Sequence, residues 1–162
     1  MTSSAGLELA AASFTDPEVR ALVDRVQAEY VVLYGGPDDS PLEEGGFDPP
    51  RGAFFLGRVD GAAVAMGGWR RRKDVHPWGL TEAAEVKRMY VAPEARRRGY
   101  ARAVLAHLEG TARDAGAEVM VLETGTMQPE AMALYEAQGY RLIDGFGHYT
   151  WSPLSRCYGK RL

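Results

Sequence analysis

The 162-residue sequence predicts one α/β domain of the α+β kind: a mixed, mainly antiparallel sheet of six or seven strands with three to four helices packed against it. Three observations carry that expectation. Short apolar runs recur at 53–59, 62–69, 86–91, 119–123, 140–144 and 149–158, the lengths and compositions of strands. Asp60-Gly61 separates the first two, a two-residue hairpin signal. Three intervening stretches repeat apolar residues every three or four positions, as the buried stripe of a helix does.

In chain order, Leu7 and Leu9 alternate weakly and predict an edge strand at about 6–14. Asp16-Pro17-Glu18 then opens a helix running to Tyr34, with Val19, Leu22, Val23, Val26 and Tyr30 on one side. Residues 35–52 hold too many glycines and prolines for regular structure and read as a loop; residues 1–5 are expected to be flexible. After the hairpin comes a second loop, Arg70 to Leu80, basic and then aromatic. Val119-Met120-Val121-Leu122-Glu123 is nearly all apolar, the signature of a central strand covered on both faces. A last helix runs from Pro129 to Gly139, and the final strands are expected at 140–144 and 149–158.

Composition narrows the function classes. Hydrophobic content of 46%, charge of 25% and a net charge of -3 describe a globular protein without the basic field that general nucleic-acid binding needs. All basic residues but Lys73, Lys87 and Lys160 are arginine, as expected of a GC-rich bacterial genome. Cys157 is the single cysteine, so no intramolecular disulfide and no cysteine-rich metal site can form; in the last strand it reads as a small apolar residue. His76 and His107 have no partners at metal-ligand spacing, and no metal is expected. With no signal-peptide pattern and no apolar run near 20 residues, the expected location is the cytoplasm, with no membrane partner.

The segment from Glu85 to His107 carries most of the functional information. Val86, Met89 and Val91 mark a strand, Ala92-Pro93-Glu94-Ala95 a turn, and a helix opens around Arg97–Tyr100 and ends near Gly116. Its beginning has the wrong sign. Helix N-termini favour Asp and Glu, yet Arg96, Arg97, Arg98 and Arg102 crowd this one, beside Gly99. Cations, orphan backbone N–H groups and a residue without Cβ at one helix start suit a phosphate-bearing ligand.

Arg96-Arg97-Arg98-Gly99-Tyr100-Ala101 fits the pattern Q/R-x-x-G-x-G/A, after the strand Lys87 to Pro93 and before an apolar strand and Ala131-Met132-Ala133-Leu134-Tyr135-Glu136-Ala137-Gln138-Gly139-Tyr140. In this it resembles the GNAT superfamily of N-acetyltransferases, well over 53–162 and loosely before that. The resemblance implies that the fourth and fifth strands splay apart and that acetyl-CoA is the acyl donor, its pantetheine arm lying in the gap along Met89, Tyr90 and Val91. The pyrophosphate would lie over the amides of Arg97 to Ala101, with Arg96 and Arg102 adding charge. Tyr135 holds the place of the tyrosine that faces the cofactor sulfur, although a half-buried core aromatic would look the same. Glu85 matches a glutamate that serves as general base in some relatives, with Glu123 and His148 as alternatives, and a surface carboxylate pairing with Lys87 or Arg88 as the other reading. Relatives carry Asn where this chain has Gln128; Thr124 and Thr126 could share that contact.

The expected activity is therefore acetyl transfer from acetyl-CoA to a primary amine by direct attack in a ternary complex. The expected partner is a small-molecule amine, with 35–52 on the substrate side and no nucleic acid; related proteins often form homodimers. Asp38, Asp39, Glu43, Glu44 and Asp48, with Trp69, Trp78, Tyr149 and Trp151, favour a cationic amine. A protein or peptide acetyltransferase and a non-catalytic acyl-CoA sensor are the alternatives.

Overall fold

The computed structural model describes residues 3, 4 and 6–162; the expectation for 1–5 falls largely outside them. Eight strands form one sheet in the order β1-β2-β3-β4-β5-β6-β8-β7. They are β1 (Ser3–Ser4), β2 (Leu7–Ala11), β3 (Gly52–Val59), β4 (Ala62–Arg72), β5 (Ala83–Val91), β6 (Val119–Gly125), β7 (Arg141–Leu142) and β8 (Ser155–Arg161). Two of these have only two residues, which accounts for the count above six or seven. All neighbours pair antiparallel except β5 and β6. The helices are α1 (Pro17–Tyr34), α2 (Tyr100–Asp114) and α3 (Pro129–Ala137).

Local chemistry sets the element ends. The Asp16 carboxylate accepts the amide of Glu18 at 2.8 Å and caps α1, whose last turn closes on Gly35 at φ 81°. Asp60 and Gly61 both take positive φ, 50° and 83°, as a tight hairpin turn requires.

Adjacent strand residues point to opposite faces, and the sheet is covered on both. Phe54, Leu56, Met66 and Tyr90 pack under α1 through Val19, Leu22, Val23 and Val26. Phe55, Ala65 and Val91 lie on the other face with Val104, Leu105 and Leu108 of α2 and Tyr135 of α3. Each such Leu or Val contributes roughly 1.5–3 kcal/mol by leaving water, so helices are held on both faces of the sheet.

The strand expected over 149–158 is shorter than its sequence pattern. Only Ser155–Arg161 joins the sheet, and Tyr149–Trp151 lies in a turn. Gly145, Gly147 and Pro153 surround that segment, and its aromatic residues are directed to loop contacts instead of a ladder.

Candidate active site

The sheet opens at β5 and β6. They pair only through Ala83↔Val119, Ala84↔Met120 and Glu85↔Val121, although both strands continue. On its other side β5 carries a bulge: Met66 faces Tyr90 and Gly68 faces Lys87, so Gly67 alone opposes Arg88 and Met89. Arg88 absorbs the extra residue at φ 57°. From Leu122 onward β6 pairs only with β8. A wedge is left between residues 86–91 and 122–125, the splay expected of the fourth and fifth strands, which are β5 and β6 here.

A cavity of about 430 Å³ occupies the wedge. Met89, Tyr90, Val91, Arg96, Arg97, Gly99, Tyr100 and Ala101 line one side, and Thr124, Gln128 and Tyr135 the other. The sequence-predicted cofactor residues thus meet in one place, with two exceptions: Arg98 and Arg102 are exposed and lie outside that lining. Arg96 is already engaged, donating Nε to Val91 O and Nη2 to Glu29 at 2.9 Å. Its guanidinium also sits 5.5 Å from the Tyr90 ring, so it braces the wall more than it offers charge.

The start of α2 fits an anionic group. Gly99 is the N-cap residue at φ 80° and supplies no side-chain cap; the first bond back into the helix runs from Ala103 N to Gly99 O. Arg97 has φ 64° and faces the same cavity. A helix start without a side-chain cap beside an Arg suits a pyrophosphate.

Tyr135 is 7% exposed and packs edge-on to Tyr140 at 5.8 Å. Burial, with Tyr30 a lesser influence, pushes its phenol well above the ordinary range, so it keeps its proton. Gln128 accepts a hydrogen bond from Tyr34 Oη at 3.2 Å, which occupies the carbonyl end of its amide. A Cβ on Gly125 would lie 2.0 Å from that same Tyr34 oxygen, so the small residue makes room for the pairing.

A second, larger cavity of about 1090 Å³ opens behind the first. Glu85 lies there, 1% exposed, with Oε1 accepting from Arg70 Nε at 2.9 Å and Arg72 Nη1 at 2.8 Å. Two side chains, Lys87 and Glu123, line both cavities. Glu123 Oε2 accepts from Ser155 Oγ at 2.8 Å and Tyr149 N at 3.2 Å. Lys87 Nζ bonds Ser40 Oγ at 2.8 Å and lies 3.6 Å from Asp38; burial lowers its pKa. Lys87 was not among the sequence candidates. Its signal was a lysine within the otherwise apolar-alternating run of β5.

Of the carboxylates of the acidic loop only Glu43 lines the second cavity, and Asp38 and Asp39 are engaged elsewhere. Asp38 is paired with Arg88 and Lys87 and accepts from Tyr149 Oη; burial works against its charge, but these two cations hold it far below the ordinary carboxylate range. Asp39 bonds Tyr149 and His148, and Glu43 pairs with Arg51. Trp69 is buried beneath α2, donating Nε1 to Thr111 at 3.0 Å. Cys157 is buried in β8 and burial raises its thiol pKa, so it is a poor nucleophile. Among the described residues no cluster of three His, Cys, Asp or Glu could hold a metal ion, and no helix is long and apolar enough to cross a membrane.

Residues 19–140 match the sequence profile of the acetyltransferase (GNAT) family. The chain belongs to this family. It is 45% identical over 71 residues to an IAA acetyltransferase of Azospirillum brasilense, 44% of this chain and 46% of that protein. It is also 28% identical over 138 residues to human N-acetyltransferase 8, 85% of this chain and 60% of that protein. The matches therefore span less than two thirds of either relative's length. A provisionally assigned acyl-CoA N-acyltransferase from Klebsiella pneumoniae superposes with a TM-score of 0.78 at 29% identity, covering 96% and 97% of the two chains. A GNAT acetyltransferase from Staphylococcus aureus shares the fold, with a TM-score of 0.74 at 19% identity over 96% and 99%. The GNAT fold accounts for the β5–β6 wedge.

Proposed function

We propose that this GNAT domain transfers an acetyl group from acetyl-CoA to the primary amine of a small molecule, by direct attack with both substrates bound. The supporting observation is that two cavities meet at Lys87 and Glu123, one of them reaching the start of α2. A thioester held along β5 would present its carbonyl carbon to an amine entering from the other side. Orienting the two in this way is itself a large share of the rate.

In this reading β5 beyond Glu85 lends the main-chain groups that β6 leaves unpaired, and Arg97 with the first-turn amides of α2 holds the diphosphate. The chemistry acetyl-CoA supplies is an activated acyl carbon. The amine forms its bond to that carbon as the carbon–sulfur bond breaks. Tyr135 Oη donates its proton to the departing sulfur, and Glu123, directly or through a water, takes the proton leaving the nitrogen.

Glu123 is preferred to Glu85 for that step on position. Glu123 stands where the cavities join, whereas Oε1 of Glu85 is held between two guanidiniums on the floor of one. Glu85 is better described as the charge that orders Arg70 and Arg72. Direct attack is preferred to an acyl-enzyme because the one cysteine is buried with a raised pKa. A thiol-release assay with acetyl-CoA across amino acids, amino-acid amides, polyamines and peptides tests the reading. It predicts turnover with at least one free amine and none after Glu123→Gln with Tyr135→Phe.

A further inference from the structure

The sequence pointed to an acidic, aromatic surround and hence a cationic acceptor. The folded chain reverses the sign. Six cations, Arg51, Arg70, Arg71, Arg72, Lys73 and Lys87, line the second cavity against four carboxylates, Glu43, Asp74, Glu85 and Glu123. Their arrangement is polarised. Four consecutive cations at and just after the end of β4 line the cavity, and the buried Glu85 serves to hold two of them, Arg70 and Arg72, in place. Of the four carboxylates, Glu123 alone stands at the junction with the cofactor cavity.

Not every cation is fully used by the protein. Arg70 gives Nε to Glu85 and Nη1 to Pro41 O, which leaves Nη2. Lys73 is exposed, follows directly on Arg72 and lines the same cavity. Arg51 is held by Glu43, but both side chains are more than half exposed, so that pair is easily exchanged for a ligand. Two carboxylates of the 35–52 loop that would recruit a cationic acceptor, Asp38 and Asp39, are meanwhile committed to Lys87, Arg88, Tyr149 and His148.

We infer that the acceptor is an amino carboxylate: its amine is directed to Glu123 at the junction, and its carboxylate to the wall of Arg70, Lys73 and Arg51. This rests on the transferase reading for the amine's role, but the carboxylate preference is a separate property of the wall. A carboxylate meeting a guanidinium fork and an ammonium forms ion pairs, bidentate at the fork, that its uncharged amide cannot form. A polyamine entering the same cavity would bring like charges together.

The test uses matched probes: free α-amino acids with aliphatic and aromatic side chains, their C-terminal amides, and spermidine. Binding is measured by titration calorimetry on the intact protein with and without coenzyme A, and thiol release with acetyl-CoA is followed in parallel. At least one free amino acid should bind about tenfold or more tightly than its amide. Lys73→Gln combined with Arg51→Gln should bring that ratio towards one, with the heat of coenzyme A binding unchanged. Both positions are exposed, so loss of folding is not expected, and circular dichroism checks it.

The inference falls if amides or spermidine bind as well as the free acids, if no probe binds, or if the ratio survives both substitutions. The two readings separate cleanly. Carboxylate-dependent binding without thiol release leaves the wall standing and removes the transferase reading. Thiol release with no preference for the acid does the reverse.

Discussion

Gly147 lies directly against the carboxylate of Glu123: a Cβ at that position would stand 2.2 Å from Oε1 and 2.5 Å from Oε2. The loop before β8 is thus moulded onto the carboxylate at the junction of the two cavities. Gly147→Ala should displace Glu123 without removing it. The clash is with the end of a flexible side chain, so the cost is the loss of the Ser155 and Tyr149 hydrogen bonds, about 1–3 kcal/mol in all. Turnover should drop roughly 10-fold or more, approaching the roughly 100-fold loss expected for Glu123→Gln, while coenzyme A affinity is kept. Steady-state kinetics beside calorimetry check this; an alanine variant with full turnover would remove Glu123 from the chemistry.

Tyr135→Phe isolates the proton donor. The hydroxyl is lost from a buried ring that keeps its packing on Tyr140, so the melting temperature should change little. kcat should fall by about 100-fold with KM for acetyl-CoA nearly constant, the pattern of a group acting in the transition state. A drop in affinity with kcat preserved would assign Tyr135 to binding instead.

Position, more than charge, should decide which arginine matters. Arg97 faces the wedge and Arg98 does not. Arg97→Glu should weaken coenzyme A binding by about tenfold or more, and Arg98→Glu by clearly less, since an exposed charge is screened. Equal losses for the two would show that the basic run acts only as a diffuse field.

Glu85→Gln should reveal itself first in stability. The carboxylate is buried between Arg70 and Arg72, whose side chains are 16% and 17% exposed. Removing one partner from a buried ion pair costs roughly 3 kcal/mol, a fall in Tm of roughly 6–12 °C for a chain of this size. Differential scanning calorimetry reads it. A variant that melts like the parent but has lost turnover would return Glu85 to the role of base.

Asp38 gives stability an acid limb. Its folded pKa lies well below its ordinary value of 3.8 because Lys87 and Arg88 outweigh the opposing effect of burial. On acidification the unfolded chain binds the proton first. The stabilisation is therefore complete above about pH 4 and declines as pH falls further towards the folded pKa. The Tm gap between the parent and Asp38→Asn should be full at pH 6–7 and narrow below pH 4. A gap independent of pH would mean that Asp38 stabilises by shape and not by charge.

Much of the fold was legible in one dimension. Local rules act over a few residues: Asp16-Pro17-Glu18 starts a helix, Asp60-Gly61 turns a hairpin, and alternation along 53–59 fills two opposite faces. The grouping of Arg97, Gly99 and Ala101 at one cavity was legible for the same reason, since they are neighbours in sequence. Less legible was the segment 149–158, where strand-like composition gave way to loop contacts with Asp38 and Asp39.

By itself, then, the sequence determined the strands and helices of the sheet, because short-range steric and capping preferences are written into adjacent residues; the wedge and the place of Tyr135 came only from the family resemblance. Tertiary structure alone decided which charges remain available. Asp38 meets Lys87 and Arg88, Glu85 meets Arg70 and Arg72, and Glu123 meets Ser155, across separations of 13 to 50 residues. Coulomb energy depends on distance and burial, neither of which composition records. An acidic loop in the sequence thereby became a cation-lined cavity in the fold.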